Sequence, residues 1–201
     1  MRKESVGVTE ALLKSAQLEF LNYGFHNASL RRISADSGVS TNSIYTRFGD
    51  KAGLFDAVVG QAADGLMDIY MKSVQAASDS LDIDEAVDNG NEGTDEVLEY
   101  IYEHFTEFKL IFCCSAGTSY EHYFDRLAEI EESYYKEFAR KYAAPGVQIS
   151  DFFIHVMCRT GWQYIYEIVS HDLSYEDAVQ FMQNIRQYFY AGWKKVLGLE
   201  C

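Results

Sequence analysis

SLRRISADSGVSTNSIYTRFGDKAGLF, residues 29–55, decides the architecture of this chain. Ser29 offers a hydroxyl to cap a short helix, LRRISADS, which ends at Gly38, the residue type that takes a left-handed backbone without strain. Two residues on, Ser40 repeats the start signal for TNSIYTRF, and Gly49 repeats the stop. Two helices of about eight residues joined by a tight glycine-containing turn have the layout of a helix-turn-helix, here over about residues 29–48. Ile33, Val39, Ile44 and Phe48 are its core positions. Asp50 caps a longer helix from Lys51 to about Ala77.

Upstream, residues 9–23 place Leu12, Leu13, Ala16 and Phe20 at helical spacing, with Thr9 as a candidate cap and Gly24 as the stop. The composition extends this helical reading to the whole chain. One proline, Pro145, stands beside 15 Tyr and 13 Phe in 201 residues, so long helices packed through aromatic rings are expected. Hydrophobic residues at 48% and charged residues at 24% exclude wholesale disorder and a collagen-like repeat. No apolar run reaches the roughly 18 residues of a membrane span. With no apolar leader after MRKES and four cysteines that lack a CxxC spacing, the expected place is the cytoplasm, with reduced thiols.

Residues 79–96, DSLDIDEAVDNGNEGTDE, carry eight acids, no base, two Gly and two Asn, and read as a solvated loop or frayed helix end. Helical periodicity resumes at Thr94, placing Tyr100, His104, Phe108 and Ile111 on one face. Further helices are expected over about 120–142, 150–170 and 175–197, with Pro145-Gly146 as a break. In the last two, Phe153, Met157, Tyr164 and Ile168, then Phe181, Ile185, Tyr188, Phe189, Trp193 and Val196, form stripes suited to helix packing. The sum is an all-α chain of about nine helices.

The segment 29–55, together with Leu12, Ala16, Phe20 and Gly24-Phe25, resembles the DNA-binding domain of the TetR family of transcriptional regulators. The resemblance covers about the first 60 residues, and YFYAGWKKVLG near the end looks like the close of some members. It implies a helix-turn-helix DNA-binding domain over residues 1–55 and a helical effector-binding and dimerisation domain over 56–201. It also implies that the helix after Ser40 enters the major groove with its first residues toward base edges. Thr41, Asn42, Ser43 and Thr46 are short polar groups fitted to that approach, Asn being able to pair with adenine. Tyr45, Arg47 and Lys51 match positions that touch the DNA backbone in the family. The sequence departs from the usual pattern at Thr41, Asn42 and Arg32, so no base preference transfers. Arg31 and Arg32 read either as phosphate anchors or as ordinary solvated charges, and Tyr45 as a DNA contact or a packing residue.

Charge supports a divided molecule. The net formal charge is −14, yet residues 1–60 hold seven bases and six acids, so the acidic excess lies in the remainder. Residues 97–193 contain 23 of the 30 aromatic side chains, enough to build both a core and a cavity. Tyr100, His104, Glu107, Phe108, Phe112, Tyr123, Phe124 and Trp162 are the candidate ligand contacts implied by the resemblance, and an acidic group with tyrosine faces would suit a cation. No HExxH pair, phosphate loop or nucleophile elbow is present, so neither an enzyme nor a metal or other cofactor is expected. The functional expectation is a homodimeric repressor that binds an inverted-repeat operator and is released by a small molecule, with the long helix from Lys51 carrying the coupling. The alternative is a ligand-independent helical dimer that binds DNA or protein constitutively.

Overall fold

A computed structural model describes residues 6–199. These residues form nine helices: α1 (Val6–Asn27), α2 (Leu30–Ser37), α3 (Thr41–Phe48), α4 (Lys51–Ser78), α5 (Ile83–Glu103), α6 (Phe105–Cys114), α7 (Tyr123–Tyr142), α8 (Asp151–Ser170) and α9 (Tyr175–Val196). No strand occurs among the described residues, and none of their helices is long and apolar enough to cross a membrane. The all-α expectation holds. The chain divides into two compact units, one of residues up to Gly65 together with 104–123, the other of 66–103 and 124 onward.

The first unit packs α1, α2, α3, α6 and the start of α4 around fully buried Leu12, Phe20, Ile33, Ile44, Phe55 and Phe108. Phe55 receives Phe20 and Phe25 edge-on, with ring centroids 5.0 and 5.6 Å away. Such rings add about 0.5–1.5 kcal/mol per pair to the burial itself. Thr9 is not a cap, since α1 starts before it; its hydroxyl instead accepts a hydrogen bond from Arg47 Nη1 at 3.2 Å. Gly24, at φ 68°, interrupts α1 where the sequence places its stop.

The second unit is built by the rest of α4 with α5, α7, α8 and α9. Its apolar core includes Leu98, Ile101, Leu127, Ile154, Trp162, Ile165 and Ile168. Ser150 and Ser174 start α8 and α9 by accepting from the amides of Phe153 and Asp177, each at 3.2 Å.

The acidic stretch at 79–96 is not a loop beyond residue 82, because α5 runs through it. Asp82 accepts from the Glu85 amide at 2.9 Å while Glu85 Oε2 accepts from the Leu81 amide at 2.6 Å, a reciprocal cap that starts the helix. Asp84 and Glu85 also favour the positive end of the helix dipole. The residues that suggested a turn serve close packing. A Cβ on Gly93 would lie 1.6 Å from Ser73 Oγ of α4, and Asn89 donates to Ser80 Oγ at 3.0 Å. The helical face expected to run through Tyr100, His104 and Phe108 is broken at His104, whose backbone is non-helical and separates α5 from α6.

Candidate nucleic-acid interface and effector cavity

The helix-turn-helix forms from local signals. Gly38 takes the left-handed backbone at φ 70°, ψ 6°, which turns the chain sharply and buries Val39. Ser40 Oγ accepts from the Ser43 amide at 3.1 Å and so starts α3. Ile44 anchors this helix in the core. The opposite face carries exposed Asn42, Tyr45 and Thr46, with Thr41 and Ser43 half-buried beside them. Tyr45 is 53% exposed, a large ring held out to solvent by a rigid helix.

Ser29 does not cap α2 with its hydroxyl. Buried Glu19 of α1 takes that role, accepting the Ser29 amide at 2.8 Å and Arg32 Nε at 2.8 Å. Burial raises the Glu19 carboxyl, but Arg32, the Ser29 amide and Lys51 outweigh it and leave it below the usual carboxylate range. Arg32 further donates to the Asn27 carbonyl at 2.9 Å and lies 4.3 Å above the Tyr23 ring. Lys51 Nζ donates to the carbonyls of His26 and Ala28 at 3.0 and 3.2 Å, over the Phe25 ring. Arg32, Arg47 and Lys51 therefore brace the α1–α2–α3 assembly; of the two exposed arginines of α2, Arg32 is the one tied to Glu19. The sequence alone did not distinguish bracing cations from exposed ones, because the partners lie on another helix.

In the second unit α4, α5, α7, α8 and α9 line a partly open cavity of about 520 Å³, within the usual size for a small-molecule site. Trp162 forms part of its wall, with Tyr70 edge-on at 5.0 Å and Phe124 at 6.2 Å from its ring. Tyr135 and Trp193 stack at 4.9 Å in another part. Burial pushes the carboxyl of Glu131 up to about 8, against the opposing influence of the Trp162 indole.

Of the eight residues expected to touch a ligand, Trp162 lines this cavity. Tyr100 is half-buried on α5, and Phe124 stands behind Trp162. His104, Glu107, Phe108, Phe112 and Tyr123 fall in the first unit instead. There Phe108 is core and packs 5.8 Å from Phe112, Glu107 accepts from Gln17 at 3.1 Å, and the Tyr123 hydroxyl donates to the Ala63 carbonyl at 2.6 Å. Among the lining residues not expected to touch a ligand are Tyr70, Glu131, Tyr134, Tyr135, Arg186 and Trp193.

A helix-turn-helix with an exposed polar face in one unit and an aromatic cavity in an all-helical second unit define the class as an all-α helix-turn-helix protein with a separate helical unit. Comparison with known proteins makes this specific. Residues 12–58 match the profile of the bacterial regulatory proteins of the tetR family. A segment of 61 residues is 33% identical to the HTH-type transcriptional repressor BepR of Brucella suis biovar 1 (strain 1330). That match covers 30% of this chain and spans 29% of the relative's length. Along nearly the whole chain the fold is that of a TetR-like transcriptional regulator from Rhodococcus sp. RHA1, with TM-score 0.59, 18% identity and coverage of 95% of this chain and 100% of the other. It is also that of the fatty acid degradation regulator FadR from Bacillus halodurans, with TM-score 0.55, 13% identity and coverage of 96% and 100%. Residues 12–58 thus match the tetR-family N-terminal domain, and the chain as a whole has the all-helical fold of the structures it resembles.

Proposed function

We propose that the chain is a transcriptional repressor that binds an inverted-repeat DNA operator as a homodimer in the cytoplasm and releases it when a small molecule enters the second unit. The observation that carries this is the exposed polar face of α3, presented on a helix-turn-helix held in the core by Ile33, Val39 and Ile44, with Phe48 half-buried beside them. Residues 1–55 are the reading domain and 56–201 the effector and dimerisation domain. Thr41, Asn42, Ser43 and Thr46 reach base edges, with Ser40, Tyr45 and Arg31 on the phosphate backbone. Lys51, Arg32 and Arg47 act at DNA chiefly through the brace they form, each keeping part of its charge toward the backbone. The family likeness is to regulators, so no catalytic role is assigned.

Homodimerisation draws support from apolar groups left outside on α8 and α9. Phe152 is 76% exposed and Tyr188 69%, and residues of this size form interface cores when a two-fold partner covers them. Effector and operator must then oppose each other by one coupling free energy, because each changes the affinity for the other by the same factor.

The test is fluorescence anisotropy on duplexes from the DNA flanking the gene, with nonspecific competitor and at two salt concentrations. Competitor-resistant binding, weakened by salt and reduced at least tenfold by Tyr45→Ala, is expected. Sedimentation of the free protein should give a dimer that Phe152→Glu with Tyr188→Glu dissociates. A salt-insensitive, sequence-indifferent interaction would overturn the reading and favour a constitutive helical interaction module.

A further inference from the structure

Four buried side-chain polar atoms have no hydrogen-bond partner among the described residues: Tyr70 Oη, Glu131 Oε2, Arg186 Nε and Trp193 Nε1. All four residues line the same cavity in the second unit. An unpaired polar atom in a protein interior is unfavourable, and a carboxylate oxygen is the most unfavourable of these types. Their convergence on a single space marks groups set to meet a ligand. The wall between them is aromatic, from Tyr70 and Trp162 on one side to the stacked Tyr135 and Trp193 on the other.

The charges decide the class of ligand. Arg186 is already committed, its two terminal nitrogens to Asp95 and one of them to the Asn91 carbonyl at 3.2 Å. Exposed Asp84 and Asp88 also line the cavity, so its unneutralised charge is negative. A carboxylate among ring faces attracts a cation twice, by direct pairing and through the rings' negative faces. An anionic ligand would meet Glu131 and two aspartates, with the charge of the one lining guanidinium already paired to Asp95 through its terminal nitrogens.

We propose that this cavity binds a lipophilic organic cation, a protonated amine or quaternary ammonium on an aromatic or alkyl body, with Glu131 as its counter-ion and Tyr70, Tyr135, Trp162 and Trp193 as the surrounding walls. The proposal deepens the effector reading above and rests on it for any consequence at DNA, but the binding event itself does not need the operator.

Proton linkage follows from the surroundings of Glu131. Tyr70 of α4, Tyr135 of α7 and Cys158 of α8 face it, and burial, with the Glu131 charge second, raises all three well above their ordinary values. Those groups stay neutral up to pH 9. From α5 and α9 the charged groups are Asp84, Asp88 and the Asp95–Arg186 pair, and on α7 Glu132 is paired with Lys136. The empty site holds Glu131 protonated below about pH 8. A cation that binds the carboxylate displaces this proton to solvent, so its affinity should rise by about eightfold from pH 7 to pH 8.5 and level off above.

The protein has two tryptophans, and both line the cavity, so intrinsic fluorescence of the full chain reads its occupancy directly. Three probes share a 4-phenylbutyl body and differ in the head: trimethylammonium, hydroxyl or carboxylate. The expected result at pH 8.5 is quenching by the ammonium at least tenfold tighter than by the alcohol, with the carboxylate weakest. Glu131→Gln, checked for native helicity by circular dichroism, should weaken the ammonium at least tenfold, spare the alcohol and abolish the pH dependence. The wild-type pH profile provides an independent measure that requires no variant. Equal binding of the three heads, preference for the carboxylate, a flat wild-type profile, or no quenching by any probe at millimolar concentration would overturn the proposal. Tight ammonium binding that leaves operator affinity unchanged would instead overturn the effector reading and leave the cation site standing.

Discussion

Replacing Glu131 with Gln should stabilise the protein, and by an amount that depends on pH in a stated way. Folding raises this carboxyl from 4.5 to about 8 because burial disfavours its charged form. As pH rises, the unfolded chain gives up the proton first, near 4.5, while the native state keeps it until about 8. Across that window the native state binds more protons, so stability falls as pH increases. At about 1.4 kcal/mol per pH unit, the loss is about 3 kcal/mol by pH 7 and about 5 kcal/mol beyond pH 8. Glutamine removes the titration without changing the shape of the side chain. Its amide adds donors that need partners, a penalty of about 1–3 kcal/mol that does not vary with pH. The quantity to measure is therefore the change with pH in the stability difference between variant and wild type. Urea unfolding followed by tryptophan fluorescence should show that difference moving by about 4 kcal/mol in favour of the variant between pH 5 and pH 8.5. Parallel stability curves for the two proteins would refute the reasoning, since they would mean that Glu131 ionises in the native state as it does in water.

Glu19→Gln should act in the opposite sense, destabilising by about 1.5–3 kcal/mol at pH 7 through weakened bonds to Arg32 and the Ser29 amide. The wild-type carboxyl is lowered on folding, so its contribution is present above the ordinary carboxylate range and is lost as pH falls through the lowered value; urea titrations at pH 7 and pH 3 check this. Tyr45→Ala should weaken operator binding with the melting temperature unchanged, whereas Lys51→Met should lower both, because its ammonium holds the His26 and Ala28 carbonyls. Gly93→Ala should destabilise by about 1–3 kcal/mol through overlap with Ser73, and Ser73→Gly in the same chain should restore most of the loss, as judged by thermal unfolding.

The helix-turn-helix was legible because its determinants are local. Gly24, Gly38 and Gly49 mark its breaks by backbone conformation alone, and Ser40 caps α3 through an amide only three residues on. The start of α5 was misread because Gly and Asn have two uses that composition does not separate. Gly93 lets α5 approach Ser73, and Asn89 ties it to Ser80, yet the same residues in a loop would look identical. Likewise Ser29 looked like the cap of α2, but the acceptor is Glu19, ten residues earlier on another helix. Phe108, Tyr123 and Trp162 were all expected to touch a ligand and all three are buried, but Trp162 is the one that lines the cavity, because which buried face borders a cavity depends on how five helices meet. The acids Glu129, Glu131 and Glu132 of α7 show the same limit at one-residue spacing. Glu129 is exposed, Glu132 binds Lys136 and His155, and Glu131 turns inward, an outcome fixed by the helical angle of α7 relative to α4 and α8.

Glu19 and Glu131 carry the division of labour in this chain. Both are carboxyls removed from bulk water, and folding moves them in opposite directions because Glu19 is met by an amide and a guanidinium, whereas Glu131 has the Trp162 indole to offset its burial and leaves Oε2 unpaired. Glu19 is met by an amide and a guanidinium, so its charge contributes to the rigidity of the head that presents α3. Glu131 has no such partner and subtracts from stability at neutral pH, a cost that purely structural packing would remove with any apolar residue of similar size. Local rules are broken in natural proteins chiefly where function requires it, and here the break coincides with three further unpaired polar atoms and an aromatic wall. A cation entering the cavity would satisfy Glu131 and recover part of that stability, so the ligand should raise the unfolding temperature of the wild type far more than that of Glu131→Gln. A pairing of this kind gives the second unit two energetically distinct states, empty with a protonated acid or filled with an ion pair, and an equilibrium between two such states is what a ligand needs in order to bias a distant DNA contact.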